Sequence, residues 1–249
     1  MTALPPLPPY APVALVTGAS RRVGRHLALT LAEDGWPMAL HYRSSRADAE
    51  ALAEEVRRAG GQAEIYAADL SDEAEAKALL PAIVQRQGPL GLLVNNAGHF
   101  QRDTWDSVTR EGWEAHLDAN LRAPFLLSQS FAEQLPEDRR GLIVNMLDQR
   151  VWNPGPTFVS YGVSKSGLWA LTRALALALA PNIRVNGIGP GFMLPDVGGD
   201  PDLFRRRVQR QPLQRGGSLE DVAAALRFFV EAASVTGQMI ALDGGQHLA

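Results

Sequence analysis

Tyr161 and Lys165 stand four residues apart in Tyr161-Gly162-Val163-Ser164-Lys165. On a helix that spacing places both side chains on one face. An ammonium beside a phenol favours the phenolate and lowers a pKa that starts near ~10. Such a tyrosine can give or take a proton near neutral pH. The spacing is also common on ordinary surface helices, so its meaning depends on what else the chain holds.

A second stretch with chemical content is Thr17 to Gly24, TGASRRVG. It follows a short apolar run, Val13 to Thr17, and opens an apolar-periodic segment from Val23 to Asp34. A strand, a glycine turn and a helix together aim helix N-terminal amides at a pyrophosphate. Gly18, Ser20, Arg21, Arg22, Val23 and Gly24 are the expected cofactor contacts. Five residues separate Gly18 from Gly24, and Arg22 stands where a middle glycine would be expected. A tight turn with two solvated arginines is the competing account. The next selector is His41-Tyr42-Arg43-Ser44-Ser45 at the end of the second strand. An NAD site usually has a carboxylate there. This chain has none, and Arg43 with Ser44, beside Tyr42, can hold a 2′-phosphate. The expected cofactor is NADP(H). Asp69, with Leu70 after it, follows the third strand. It is placed to accept from an adenine amine, or to start the next helix.

The elements that must position these residues alternate. Expected strands are Val13 to Thr17, Met38 to Tyr42, Ala63 to Ala67, Gly91 to Val94, Gly141 to Leu147, Ile183 to Ile188 and Gln238 to Leu242. Helices are expected over Val23 to Asp34, Ala47 to Ala59, Ser71 (as its cap) to Gln87, Glu111 to Gln134, Tyr161 to Ala180 and Leu219 to Ala232. Parallel strands need crossovers, and right-handed crossovers build a doubly wound sheet. The expectation is one Rossmann-type α/β domain over residues 12–249, with a parallel sheet of about seven strands. A flexible Pro-rich tail is expected over residues 1–11. Residues 195–201, PDVGGDP with its flanking prolines, read as a substrate loop.

Composition narrows the class. At 249 residues, 46% hydrophobic and 20% charged, the chain is ordinary for a globular protein. A formal net charge of -3 without a basic run argues against nucleic-acid binding. There is no cysteine, hence no disulfide and no thiolate metal site. The histidines show no metal-ligand spacing, and no metal is expected. No apolar run reaches membrane-spanning length and no secretory leader is visible, so a cytoplasmic location is expected.

TGASRRVG, Asn95-Asn96-Ala97-Gly98, Asn120, Tyr161 with Lys165, and the Pro190-Gly191 turn together resemble the short-chain dehydrogenase/reductase family. The resemblance covers about residues 11–249. It implies cofactor contacts at Asn96, Ala97, Gly98, Tyr161, Lys165, Pro190 and Gly191. It also implies a catalytic set in which Lys165 orients the nicotinamide ribose and Asn120 holds a water linking lysine to solvent. The family usually has serine thirteen residues before the tyrosine; here that position is Asp148. Asp148, Arg22 in the glycine loop, the LHYRSS segment, PGFML and DGGQHLA are similar to pteridine reductases and dihydromonapterin reductases. An ionised aspartate accepts hydrogen bonds and cannot donate one to a carbonyl. Asp148 therefore either stays protonated or passes a proton through Tyr161 to a pterin ring nitrogen. By this resemblance the substrate is a small-molecule pteridine. It would lie against Arg22, Phe100, Asp148, Tyr161, Gly191 and Met193, with the Phe100 ring stacked on it. Phe100 as a plain core phenylalanine stays open. A 3-oxoacyl or other carbonyl reductase of the same fold is the alternative activity. The family also implies a homotetramer whose C-terminal segment, around His247, approaches a neighbour.

Overall fold

The structure is a computed structural model that describes residues 9–195 and 200–249. Seven strands form one parallel sheet: β1 (Val13–Val16), β2 (Met38–Tyr42), β3 (Ala63–Ala67), β4 (Leu90–Asn95), β5 (Gly141–Met146), β6 (Ile183–Pro190) and β7 (Met239–Leu242). Their order is β3-β2-β1-β4-β5-β6-β7. The chain reverses its direction of travel across the sheet between β1 and β4, and the strand ends there diverge into the crevice where α/β proteins bind ligands.

The helices are α1 (Arg22–Glu33), α2 (Arg46–Arg58), α3 (Glu73–Gln87), α4 (Arg110–Leu117), α5 (Ala123–Gln134), α6 (Val159–Ala178), α7 (Pro201–Gln209) and α8 (Leu219–Glu231). Strand alternation divides their cores. Ala14 and Val16 of β1 face a cluster with Leu27 and Leu31 of α1 and Leu226 and Phe229 of α8. Val13 and Leu15 face the opposite cluster, with Leu79 and Ile83 of α3 and Leu127 and Phe131 of α5. Both sheet faces are covered, which is why the strands read as unbroken apolar runs.

Three expectations need correction. The helix expected to be continuous from Glu111 to Gln134 is two helices joined by a π-helical turn over Asp118–Arg122. Its apolar periodicity hides the extra residue, and such turns concentrate at functional sites. Ser71 does not cap α3. Asp72 does, accepting from Ala74 N and Glu75 N at 2.8 and 3.0 Å, because a carboxylate suits the helix N-terminus. The flexible tail does not extend to residue 11. Pro9 O accepts from Arg140 N at 3.0 Å, and Ala11 is fully buried. Residues 1–8 lie outside the described residues. So do residues 196–199, the centre of the expected substrate loop; Pro201 already begins α7. Among the described residues no helix is long and apolar enough to cross a membrane.

Candidate active site

The expected catalytic residues meet at the carboxyl ends of β4 and β5. Asp148 follows β5 and opens a 3-10 turn over Gln149–Val151. Tyr161 lies in the first turns of α6 and its hydroxyl donates to Asp148 Oδ2 at 3.0 Å. Asp148 also accepts from Arg150 N at 2.8 Å and from Arg150 Nη1 at 3.1 Å. All of these partners donate, so Asp148 acts purely as an acceptor. Arg150, which is not among the expected site residues, is its ion-pair partner. The signal was an arginine two residues beyond the aspartate, on a turn that folds it back.

The electrostatics reverse one expectation. Lys165 does not bring the resting Tyr161 to the phenolate. Burial, and then the negative Asp148 beside it, push the Tyr161 phenol well above its ordinary value. Lys165 is itself lowered to about 8 by burial. Its Nζ donates to Met146 O at 2.7 Å and lies 5.9 Å from the Tyr161 ring centroid. Helical spacing put both residues on one face, but burial outweighs their mutual attraction. Tyr161 is accordingly a protonated donor at neutral pH.

Asn120 sits fully buried in the π-helical turn. Its amide donates to His99 O at 2.9 Å and Ser164 Oγ at 3.0 Å, and its Oδ1 accepts from His99 N at 2.8 Å. The side chain thus splints the segment after β4 to α6. Gly98 is the point of closest approach: a Cβ there would lie 3.0 Å from Asn120 Oδ1 and 3.9 Å from Lys165 Nζ.

The glycine turn is assembled from several elements. Gly18 has a φ of 62°, and a Cβ on Gly24 would lie 2.2 Å from Gly18 O, which fixes both as glycine. Asn96 Nδ2 donates to Thr17 O and Gly18 O at 2.8 and 3.2 Å. Thr17 Oγ1 accepts from Asn96 N and Ala97 N, both at 2.9 Å. His41 accepts from Gly18 N at 3.0 Å through Nδ1, while Nε2 faces Ala68 O at 3.0 Å. Burial lowers its pKa, and the two partners fix the neutral tautomer with Nε2 protonated. Neither Thr17 nor His41 belongs to the expected contact set; both set the turn's shape. Ser20 Oγ is buried without a hydrogen-bond partner. A hydroxyl stranded beside helix-terminal amides fits a phosphate oxygen.

The remaining expected contacts separate. Val23 is partly buried against the core, and Leu70 is buried at 8% exposure. Arg21 is exposed and paired to Asp48, while Arg22 Nη2 reaches across to Pro195 O at 3.1 Å. Arg43 and Ser44 are exposed beyond β2, next to buried Tyr42. Asp69 Oδ1 accepts from Ser71 N at 3.0 Å in the turn that precedes α3, whose cap is Asp72. Pro190 ends β6 and Gly191 N donates to Leu242 O at 3.1 Å. Met193 is partly buried and packs against the core cluster that holds Leu226 and Phe229 of α8. Phe100 is 48% exposed, stacks on Phe158 with centroids 4.7 Å apart, and meets the Tyr161 ring edge-on at 4.7 Å. His247 pairs with Asp243 at 2.7 Å and packs edge-on against Trp152 of its own chain. Among the described residues no cluster of three His, Cys, Asp or Glu could hold a metal ion.

Comparison with known proteins agrees with this geometry. A crystal structure of the FolM alternative dihydrofolate reductase 1 of Brucella suis, in complex with NADP, superposes with a TM-score of 0.92 at 46% identity, covering 95% of each chain. Its counterpart from Brucella canis, also with NADP, gives 0.90 at 45% identity, covering 95% of this chain and 94% of that one. The 3-oxoacyl-[acyl-carrier-protein] reductase FabG of Staphylococcus aureus (strain Mu50) is 35% identical over 242 residues, 94% of this chain and 98% of that protein. The short chain dehydrogenase family model matches residues 12–201. With its parallel seven-stranded sheet, glycine turn and Tyr161–Lys165 helix, this chain belongs to the short-chain dehydrogenase/reductase family of oxidoreductases.

Proposed function

We propose that this chain is an NADPH-dependent reductase of pteridines, taking a dihydropterin such as dihydromonapterin, dihydrobiopterin or dihydrofolate to its tetrahydro form. The observation that carries the reading is the Asp148 carboxylate bonded to the Tyr161 hydroxyl at 3.0 Å and ion-paired with Arg150. The likeness to two dihydrofolate reductases crystallised with NADP supports it. A homotetramer in the cytoplasm belongs to the same reading, by family likeness.

The residues divide the work. Thr17, His41 and Asn96 shape a turn whose free amides and Ser20 hydroxyl would hold the cofactor's phosphates, and Arg43 would meet its 2′-phosphate. When bound, the cofactor supplies a hydride to a ring carbon. Asp148, anchored by Arg150, holds the Tyr161 hydroxyl at the site, and the O–H turns from Asp148 toward the substrate as it reacts. Tyr161 gives its proton to the ring nitrogen of the same C=N bond, so the bond gains one hydride and one proton. Lys165, beneath the ring, stabilises the phenolate as it forms and favours its reprotonation from solvent.

The second reading is a 3-oxoacyl reductase, favoured by the 35% identity to FabG over nearly the whole chain. It must manage without a serine donor at position 148, where the carboxylate would repel a developing oxyanion. Purified protein with NADPH is offered 7,8-dihydrobiopterin, quinonoid dihydrobiopterin and a 3-oxoacyl thioester. Oxidation of NADPH with a dihydropterin is expected; oxidation with the thioester alone sinks the pteridine reading. For the cofactor, Arg43→Ala is expected to raise the KM for NADPH roughly 10- to 100-fold, the loss of a charge-assisted hydrogen bond. The KM for NADH should barely move. Equal changes for both cofactors would contradict the 2′-phosphate role.

A further inference from the structure

Behind Phe100 runs a buried polar chain with no part in the proton transfer above. His116 of α4 is 1% exposed, Ser160 of α6 is fully buried and Asp103 is 9% exposed. The backbone N–H of Gln101 donates to His116 Nε2 at 3.1 Å. A backbone amide can only donate, so Nε2 is the unprotonated nitrogen and Nδ1 carries the hydrogen. His116 Nδ1 lies 2.7 Å from Ser160 Oγ. Ser160 Oγ in turn donates to Asp103 Oδ2. The hydrogen bonds therefore run one way, from Gln101 through imidazole and hydroxyl to carboxylate. The Asp103 carboxylate also accepts from Ser160 N at 3.3 Å, and its backbone carbonyl accepts from Phe158 N at 2.8 Å.

Two aromatic rings depend on these bonds. Phe100 directly precedes Gln101. Phe158, tied by its own N–H to Asp103, has a φ of 61°, in the left-handed region that a bulky side chain disfavours. The two rings stack 9° from parallel, and both meet Tyr161 edge-on. A conformation of that cost persists only where its surroundings over-determine it. Burial, and then the adjacent His99, lower the His116 pKa, which favours the neutral ring that accepts from Gln101.

We infer that His116 is a positioning residue for substrate recognition: its acceptor nitrogen fixes the Gln101 amide, and with it the Phe100 ring against which a planar heteroaromatic substrate stacks. The inference rests on the pteridine reading and adds to it the element that sets substrate affinity without touching substrate.

Two substitutions separate the two ends of the imidazole. His116→Gln reaches as far as Nε2 and keeps an acceptor for Gln101. His116→Asn reaches only as far as Nδ1, keeping a group for Ser160 and losing the one for Gln101. For His116→Asn we expect a rise of at least about tenfold in the KM for dihydropterin with kcat nearly unchanged. Hydrogen exchange at the Gln101 amide should quicken in the same variant. His116→Gln should bring both back toward wild type. An unchanged KM in His116→Asn, or an equal rise in both variants, overturns the inference. If the histidine variants fail to fold, Phe100→Ala decides, because it leaves the buried chain intact. It should reproduce the KM rise, and an unchanged KM overturns the inference. Absence of pterin turnover by the unmutated enzyme sinks the pteridine reading. The Gln101 exchange rates then still decide whether His116 holds this segment.

Discussion

Tyr161→Phe is expected to lower kcat for dihydropterin reduction by about 10²- to 10⁴-fold, the usual contribution of a positioned general acid. NADPH binding, followed by cofactor fluorescence, should persist with a far smaller change. The ring is buried and packs against Phe100, Phe158 and His116, so the substitution keeps the packing and removes one oxygen. That oxygen is the proton donor of the proposed mechanism, and it is bonded to Asp148 Oδ2 at 3.0 Å. Retention of more than about a tenth of wild-type kcat would point to another acid. Asp148→Ser probes the same bond from the other side. It leaves Arg150 without its ion pair and should also damage pterin reduction; unchanged turnover would remove Asp148 from the mechanism.

The pH profile follows from the same residues. Tyr161, pushed well above its ordinary value, keeps its proton through neutral pH and does not limit the reaction there. Lys165, lowered to about 8, is charged below that pH and neutral above it. The ammonium is the form that stabilises the phenolate, so kcat/KM should fall as pH rises through about 8. Lys165→Arg, whose charge persists to far higher pH, should lose that descending limb even if its rate is lower. A limb unmoved in Lys165→Arg would assign it to another group.

Arg184→Ala is expected to destabilise the fold by about 3 kcal/mol, because buried Phe229 O and three partly buried carbonyls lose a charged donor at once. At this chain length the melting temperature should fall by roughly 6–12 °C. Arg184 lies inside β6, yet its guanidinium donates to Phe229 O at 2.6 Å, Val235 O at 3.0 Å, Ala232 O at 3.1 Å and Val230 O at 3.3 Å. These carbonyls belong to the last turn of α8 and the residues after it, which lack i+4 helical partners and all accept from one cation here. The same group donates to Tyr10 Oη at 2.5 Å, and Tyr10 in turn donates to Val230 O at 2.9 Å. One side chain thus ties the N-terminal segment, β6 and the end of α8 together. A calorimetric shift below about 2 °C would show that water replaces these bonds without cost. Arg184→Lys should recover only part of the loss, since a lysine cannot present the planar fork that reaches several carbonyls.

The strands were legible in the residue pattern because a sheet covered on both faces needs unbroken apolar runs. Met38–Tyr42 and Ala63–Ala67 have the bounds expected of them. Helix existence was equally legible, since apolar spacing and polar breaks are local properties. The interruption at Asp118–Arg122 was not, because a π-helical turn alters hydrogen-bond partners without breaking the apolar stripe. The glycine turn could be read at Gly18 and Gly24, where the backbone itself demands the residue. Its support by His41 could not: His41 lies 23 positions along the chain from Gly18 and meets it only when β1 and β2 pair.

The sequence by itself determined the residue types at the centre: a tyrosine and a lysine on one helical face, and an aspartate where the family has serine. Local spacing suffices for that. Only the tertiary structure decided what these residues do to one another. Tyr161 is held as an acid rather than a phenolate because burial and Asp148 outweigh Lys165. Lys165 spends its ammonium on Met146 O, and Arg150 closes on Asp148. Desolvation and the direction of a hydrogen bond depend on what surrounds a group from every side. A linear chain records the groups but not their surroundings.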